Sequence, residues 1–344
     1  MVYRKIMVGT DGSETAARAQ RAARRLAQRL GSELLVVLAQ DPAHGPSDVG
    51  EDVLAQARSL AAGEGVTARS ELVHGEPAEA IADLAEREGS DLIVVGSKGM
   101  GKARRLRLGA VAEQVAHHAP CDLLVVRTTD AGRSTGGEYR RIVVGTDGSP
   151  TATEATRKGF ELAEMLQASV TLLYAGDDLD GRLALEETLR ARPGTADVRT
   201  EVLPGDAAEL LCQVAARDAM DLVVVGNRGV PGRRHLLTPI PLKVAHAAPT
   251  DVLIAKTVGR SLQDIAPGTG GIVVVGGRKV AVFRDDGGAL HAVSPRCTHL
   301  GCTVGWNDVE RTWDCPCHGS RYAADGRVMH GPAQHDLAAV ELTT

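Results

Sequence analysis

The chain has 344 residues, 43% hydrophobic and 24% charged, with a formal net charge of −5 at pH 7; this is the balance of a globular protein of two or three domains, and it gives no electrostatic footprint for nucleic acid. No run of 18 apolar residues occurs, so no membrane-spanning helix and no membrane partner are expected. The opening MVYRKIMVGTDGS reads as a strand and turn, not a signal peptide, which predicts a cytoplasmic protein. In chain order, residues 6–9 form a short apolar strand, 13–30 an Ala/Leu/Arg-rich helix, 34–39 a β run, and 50–62 a helix. Residues 66–73 form a strand, Pro77 opens a helix running to about Glu88, 92–96 form a buried strand, and 123–127 are the last strand of the set. Apolar strands separated by amphipathic helices predict a parallel α/β sheet covered on both faces.

The pattern then repeats. RKIMVGTDGS at 4–13 recurs as RRIVVGTDGS at 140–149, SDLIVVGSKG at 90–99 as MDLVVVGNRG at 220–229, and HAPCDLLVV at 118–126 as HAAPTDVLIA at 246–255. Shared order and spacing predict a duplicated α/β domain, 1–128 and 138–257, joined by the Gly/Ser/Thr-rich stretch 128–138. In the second copy Ser149 is placed to cap a helix with Pro150 in its first turn. A second break falls at 257–271. Beyond it residues 272–275 and 279–284, separated by Gly276 and Gly277, read as a hairpin, and 285–288 as the next turn. No helix is expected after that, so 260–344 is predicted as a small all-β domain. Aromatic residues make up only 2% of the chain, so Ala and Val are expected to fill the α/β cores, and both Trp306 and Trp313 fall in the tail.

The tail also holds four of the six cysteines. Cys297-Thr298-His299-Leu300-Gly301-Cys302 and Cys315-Pro316-Cys317-His318-Gly319-Ser320 each offer sulfur and imidazole at tight spacing. Thiolates suit iron–sulfur clusters and imidazole suits iron or zinc. Two such loops can grip a binuclear cluster from two sides. A structural zinc site fits less well, because zinc prefers paired ligands two to four residues apart, Cys297-x-His299 is tighter, and two cysteines are left over. A domain held only by disulfides leaves both histidines without a role. Cys121 and Cys212 stand alone and read as buried small hydrophobes.

On these residues the tail resembles a Rieske domain over about 260–344, matching C-x-H-x-G-C and C-P-C-H-G-S at every position. The resemblance implies a 2Fe–2S cluster with Cys297 and Cys315 on one iron and His299 and His318 on the other. It also implies a Cys302–Cys317 disulfide tying the loops together, an unusual bond for the cytosol. In Rieske proteins of cytochrome bc complexes the residues matching Ser320 and Tyr322 donate hydrogen bonds to a bridging sulfide and a ligand sulfur. That implies a potential in the upper part of the roughly −150 to +300 mV Rieske range. His330 and His335 are read as loop or surface residues. They follow the cluster loop directly, so oxygenase activity is not expected.

In the first repeat Gly96 ends a strand, Gly99 follows, and after nine residues Gly109-Ala110 precedes a helix. Glycines let a backbone approach phosphate, and a helix N-terminus favours an anion. The loop between carries Lys98, Lys102, Arg104, Arg105 and Arg107, which also reads as a solvated basic loop. It is neither a Walker A loop nor a dinucleotide fingerprint. With the Thr-Asp-Gly-Ser turn, residues 1–258 resemble two tandem universal stress protein domains, whose ATP-binding branch carries G-x2-G-x9-G followed by Ser or Thr. The resemblance implies ATP or another adenine nucleotide on copy one, with Gly96, Gly99 and Gly109 at the phosphates and Ala110 where the hydroxyl belongs. Asp11 would lie beside the adenosine, and Val37 or a neighbour would line the adenine pocket. Copy two keeps Gly226 and Gly229 but has Pro239-Ile240 for the final Gly-Ser, and Pro231 and Pro241 nearby. Proline removes an N–H donor, so nucleotide is expected on copy one and not on copy two. The family further implies that the copies pair face to face as a pseudo-dimer through strands 122–126 and 251–255, with further homo-oligomerisation open.

The leading expectation is a soluble electron-transfer or redox-responsive protein that exchanges one electron with a partner protein, its stress-protein pair binding nucleotide. It would be a carrier or sensor, at most an oxidoreductase component, since no Walker lysine or evident general base accompanies the glycine loop. The alternative is a nucleotide-binding stress sensor whose cluster is structural or sensory.

Overall fold

Each copy begins with a strand that runs into the Thr-Asp-Gly-Ser turn, where a left-handed glycine redirects the chain into a capped helix. In the computed structural model, which describes residues 2–40, 49–98, 108–128, 134–192, 194–227, 240–256, 262, 265–275, 278–315 and 317–342, β1 (Lys5–Thr10) ends at this turn. Gly12 has φ 77°, and Ser13 accepts a hydrogen bond from the Ala16 N–H to cap α1 (Glu14–Leu30). There follow β2 (Glu33–Gln40), α2 (Val49–Gly63), β3 (Ala68–His74), α3 (Pro77–Glu88), β4 (Leu92–Gly96), α4 (Ala110–His118) and β5 (Asp122–Val126). Copy two repeats the plan with β6 (Arg141–Thr146), α5 (Pro150–Leu166), β7 (Ser169–Ala175), α6 (Asp178–Arg190), β8 (Val198–Leu203), α7 (Ala207–Arg217), β9 (Leu222–Gly226), α8 (Ile240–Ala247) and β10 (Asp251–Ala255). Ser149 again caps the first helix, accepting from the Ala152 N–H.

All ten strands form one sheet in the order β3-β2-β1-β4-β5-β10-β9-β6-β7-β8. Every pairing is parallel except β5 with β10, which are antiparallel with Leu124 opposite Leu253. The copies therefore pair through their last strands, as expected, but edge to edge and not face to face. The reason is physical: every residue of β5 and of β10 is buried, and a buried strand edge must pair its backbone groups. Alternation sends Ile6, Val8, Leu34 and Val36 to one core and Met7, Leu35 and Val37 to the other, so both faces are covered.

Two carboxylates anchor the seam. Asp122 accepts from the Tyr3 hydroxyl at 2.7 Å, Lys158 Nζ at 2.6 Å and the Lys256 N–H at 2.8 Å. Asp251 accepts from the Arg127 N–H at 2.7 Å, the Tyr139 hydroxyl at 2.9 Å and Ser134 at 3.1 Å. Both are fully buried.

Residues 1–256 form one compact unit and 257–344 another. The second unit is antiparallel. One sheet holds β11 (Gly270–Val275), β12 (Arg278–Arg284) and β13 (Leu290–Val293); the other holds β14 (Gly305–Asn307), β15 (Thr312–Asp314), β16 (Arg321–Ala323) and β17 (Val328–His330). The Gly276-Gly277 turn lies outside the described residues, among which this unit has no α-helix. The Asp285 turn closes by Asp285 N–H to Ala289 O at 2.9 Å.

Candidate metal centre and nucleotide crevice

The two Cys/His loops are built alike. In the first, which follows β13, the Cys297 N–H donates to Cys302 O and the Gly301 N–H to Cys297 O, both at 2.8 Å. In the second, which follows β15, the Cys315 N–H donates to Ser320 O at 2.7 Å and the Gly319 N–H to Cys315 O at 3.2 Å. Gly301 and Gly319 have φ of 75° and 74°, a left-handed bend that glycine takes without steric cost. Each loop thus holds its first cysteine at the base and lifts its histidine toward the tip. Cys302 and Cys317 form a disulfide between the loops, with a Cα–Cα distance of 6.7 Å.

Cys297 and Cys315 are buried, His299 is half-buried and His318 exposed. The two imidazoles meet edge to face with ring centroids 4.9 Å apart. Cys297 and Cys315 lie in the buried core of this unit and are close enough to shift each other's titration. Burial pushes the Cys297 thiol up, but hydrogen bonds from Tyr322, the His299 backbone, Cys315 and Ser320 outweigh it and leave the group below its ordinary pKa. Cys315 goes the other way: burial raises it, and its bond to Cys297 adds to that against the backbone N–H groups of Cys317 and His318. Nδ1 of His299 is buried with no hydrogen-bond partner. Two buried thiols, two adjoining imidazoles and an orphaned ring nitrogen fit the mixed donor set of a Rieske 2Fe–2S centre.

Tyr322, fully buried, sets its hydroxyl 3.1 Å from Cys297 Sγ. The Thr298 N–H donates to that hydroxyl at 3.1 Å, and Thr298 Oγ1, also 3.1 Å away, donates its own proton to His335 O at 2.6 Å. The tyrosine proton is therefore left for Thr298 Oγ1 or the sulfur. Ser320 Oγ accepts from the Ala333 N–H at 3.2 Å, which leaves the serine proton for the sulfur side. Thr298 and the 331–335 segment escape sequence reasoning; their one signal is Gly331, where an added Cβ would lie 2.5 Å from Ser320 Cα. His330 and His335 are both exposed, as expected.

The strand order of copy one reverses direction between β1 and β4, and the crevice beyond the carboxyl ends of such strands is the usual ligand position of an open α/β sheet. Asp11 and Gly96 follow from those two strand ends. Asp11 is exposed and accepts from both the N–H and the hydroxyl of Ser13. Gly96 is crowded, since a Cβ there would lie 3.0 Å from Thr128 Cγ2 and 3.2 Å from Lys98 O. The Gly109 N–H is engaged, donating to Ser97 O at 2.8 Å. Free donors at α4 therefore begin at Ala110, an exposed residue after an N-cap without a side-chain hydrogen bond. Val37 is fully buried opposite Gly9. Gly99 and residues 102–107 lie outside the described residues, as do Gly229, Pro231 and Pro239. In copy two the same crevice is an open cleft of about 70 Å³ lined by Asp147, Leu173, Gly226, Ile240 and Pro241 among others.

The universal stress protein family pattern matches residues 2–127, 138–181 and 177–256, and the Rieske [2Fe-2S] domain pattern matches 257–341. The tail is 54% identical over 80 residues to the Rieske 2Fe-2S iron–sulfur protein YhfW of Bacillus subtilis, a match covering 23% of this chain and 16% of that protein. Universal stress protein MJ0531 of Methanocaldococcus jannaschii is 32% identical over 141 residues, 37% of this chain and 83% of that protein. A universal stress protein structure from Archaeoglobus fulgidus superposes on 73% of this chain and 98% of its own with a TM-score of 0.61 at 18% identity, a likeness of fold alone.

Proposed function

The chain belongs to the universal stress protein family and ends in a Rieske [2Fe-2S] domain, and from that premise we propose that it is a one-electron carrier or redox-responsive protein whose first stress-protein copy binds an adenine nucleotide. The observation that carries the redox reading is the edge-to-face pair of His299 and His318 imidazoles on the two loops whose first cysteines, Cys297 and Cys315, are buried. Cys297 and Cys315 would hold one iron, His299 and His318 the other. The bound cluster supplies reversible one-electron chemistry.

The rest is the work of this chain's residues. The Cys302–Cys317 disulfide fixes the loops relative to each other, so ligand geometry changes little with oxidation state. Tyr322 and Ser320 donate toward sulfur, stabilising the more negative, reduced state and raising the potential. His318, exposed at the tip, presents an imidazole to a partner protein. In copy one, the exposed start of α4 beside Asp11 and Gly96 offers backbone donors and a favourable helix end to a phosphate.

A visible and EPR redox titration of the full chain, with and without ATP, tests the reading. A reversible Rieske signal is expected. A colourless, EPR-silent protein would sink it. Ser320→Ala should lower the midpoint by roughly 60 mV, a tenfold change for a one-electron couple; an unmoved midpoint removes Ser320 from the tuning role. A midpoint that shifts with ATP shows coupling, because linkage between two bound states is reciprocal.

A further inference from the structure

The aromatic residues of this chain are few and unevenly placed. The whole sequence has 2 Trp, 4 Tyr and 2 Phe, yet both Trp, one Phe and one Tyr stand in a single row through the Rieske unit. Trp306, Trp313 and Tyr322 are direct cross-strand neighbours on β14, β15 and β16, where side chains share a face and lie within reach of each other. Phe283 and His291 are likewise opposite each other on β12 and β13. The two sheets join through Phe283 and Trp306, stacked at 4.9 Å and 26°. Trp306 meets Trp313 at 4.8 Å, and His291 stacks on Phe283 at 5.8 Å and 28°. At the inner end the Tyr322 hydroxyl is 3.1 Å from Cys297 Sγ. At the outer end His291 is exposed, its Nε2 3.0 Å from Asp285 Oδ2.

Packing alone accounts poorly for the middle of this row. Trp306 Nε1 is buried without a hydrogen-bond partner, an arrangement that costs about 1–3 kcal/mol and that Phe or Leu would avoid. The backbone also makes way for the indole: a Cβ on Gly270 would fall 2.5 Å from its ring.

We propose that this row is a second electron port, leading from the Cys297 side of the centre through Tyr322, Trp313, Trp306 and Phe283 to a docking surface at His291, separate from the exposed imidazole of His318. The proposal rests on the reading of the centre given above. Tunnelling falls off steeply with each gap in the medium; ring contacts keep the gaps short from Trp313 outward, and the step from Tyr322 to Trp313 is one cross-strand pair. The rings conduct without being oxidised themselves: one electron leaves the centre, which is oxidised by one equivalent, and the partner's cofactor is reduced by one, with no bond made or broken. The occupant that suits a flat, exposed imidazole is a one-electron carrier protein that brings a planar conjugated cofactor to its surface.

The test is flash photolysis of the cluster-loaded full chain carrying a photoactive ruthenium complex on one histidine, His291 in one preparation and His330 in another, with the remaining exposed non-ligand histidines changed to Gln. Trp306→Leu should slow electron transfer from the His291 label by at least about tenfold, an added barrier of about 1.4 kcal/mol, and leave the His330 rate unchanged. Trp306→Phe, which keeps a ring, should restore most of the rate. Equal rates in wild type and Trp306→Leu, or equal slowing from both labels, would overturn the port. Each variant must show the wild-type EPR signal; if Trp306→Leu loses it, Phe283→Leu makes the same comparison one ring further out. A wild-type chain with no Rieske signal would instead bring down the reading of the centre, and this proposal with it.

Discussion

Copy one and copy two share a backbone plan down to strand register, Gly9 opposite Val37 in one and Gly145 opposite Leu173 in the other, yet they serve their seam carboxylates differently. Each Asp takes a tyrosine hydroxyl from its own copy and a backbone N–H from just beyond the last strand of the other. The third partner breaks the symmetry. Asp122 has the ammonium of Lys158, nine residues past the Ser149 cap. Nine residues past Ser13 stands Ala22, whose carbonyl would lie 2.7 Å from a Cβ on Gly137. Ala22 is fully buried, with the Gly137 backbone close against its own, and the third donor to Asp251 is the Ser134 hydroxyl. Repetition preserved the strands because any residue of the right period builds them; the polar anchors diverged because each is made by long-range neighbours.

The largest effect should come from removing the asymmetric cation. Lys158→Met leaves Asp122 buried without its counter-charge, and breaking a buried pair from one side costs about 3–5 kcal/mol. Urea denaturation of the full chain, followed by circular dichroism, reads it. A loss below about 1 kcal/mol would mean that the lysine is incidental to the seam, since that is the range of exposed pairs.

Asp251 should show itself through pH. Burial raises its pKa to about 7 against the Arg127, Tyr139 and Ser134 hydrogen bonds, from an ordinary value of 3.8. Between those values the folded chain binds a proton that the unfolded chain has released. The stabilising contribution is therefore complete below the ordinary value and is lost as pH rises toward 7, at up to about 1.4 kcal/mol per pH unit. Asp251→Asn cannot titrate, so wild type should lose roughly 2–3 kcal/mol relative to it between pH 4.5 and 6.5. Parallel stability profiles would place the carboxyl as ionised throughout, held by its three donors.

Much of this was legible in the sequence, for local reasons. The Thr-Asp-Gly-Ser turn announces a strand end, a left-handed residue and a helix cap within four positions, and the Cys/His loops carry their sulfurs and imidazoles in two six-residue segments. What was not legible depends on distant partners. A single Asp before an apolar run, as at Asp122 and Asp251, reads as a turn residue, and only the edge pairing of β5 and β10 buries it. Thr298 meets Tyr322 and His335 across 24 and 37 residues. The two Trp were visibly confined to the tail, but three-residue strands are too short for alternation to reveal that they share a face with Tyr322. The engaged N–H of Gly109 likewise depends on Ser97, on the far side of the glycine loop.

That last contact sharpens the comparison at the proposed nucleotide site, where the smallest effect is expected. With the Gly109 N–H engaged, the donors copy one can offer to a phosphate in the proposed site are those of Ala110 and Val111, the first two residues of α4. In copy two the corresponding pair is Ile240 and Pro241, so one donor is gone although the cleft remains open. Val111→Pro would give copy one the same deficit. Proline is tolerated in a first helical turn, where N–H groups have no intrahelical partner, so the helix should survive. ATP affinity measured by calorimetry should fall about tenfold, the value of one hydrogen bond to a charged group. The reverse change, Pro241→Val, should leave one ATP per chain, because Pro239 lacks the N–H with which Gly109 closes its loop onto Ser97. A second ATP appearing in Pro241→Val would mean that the two proposed sites differ by a single donor and not by the whole diverged segment.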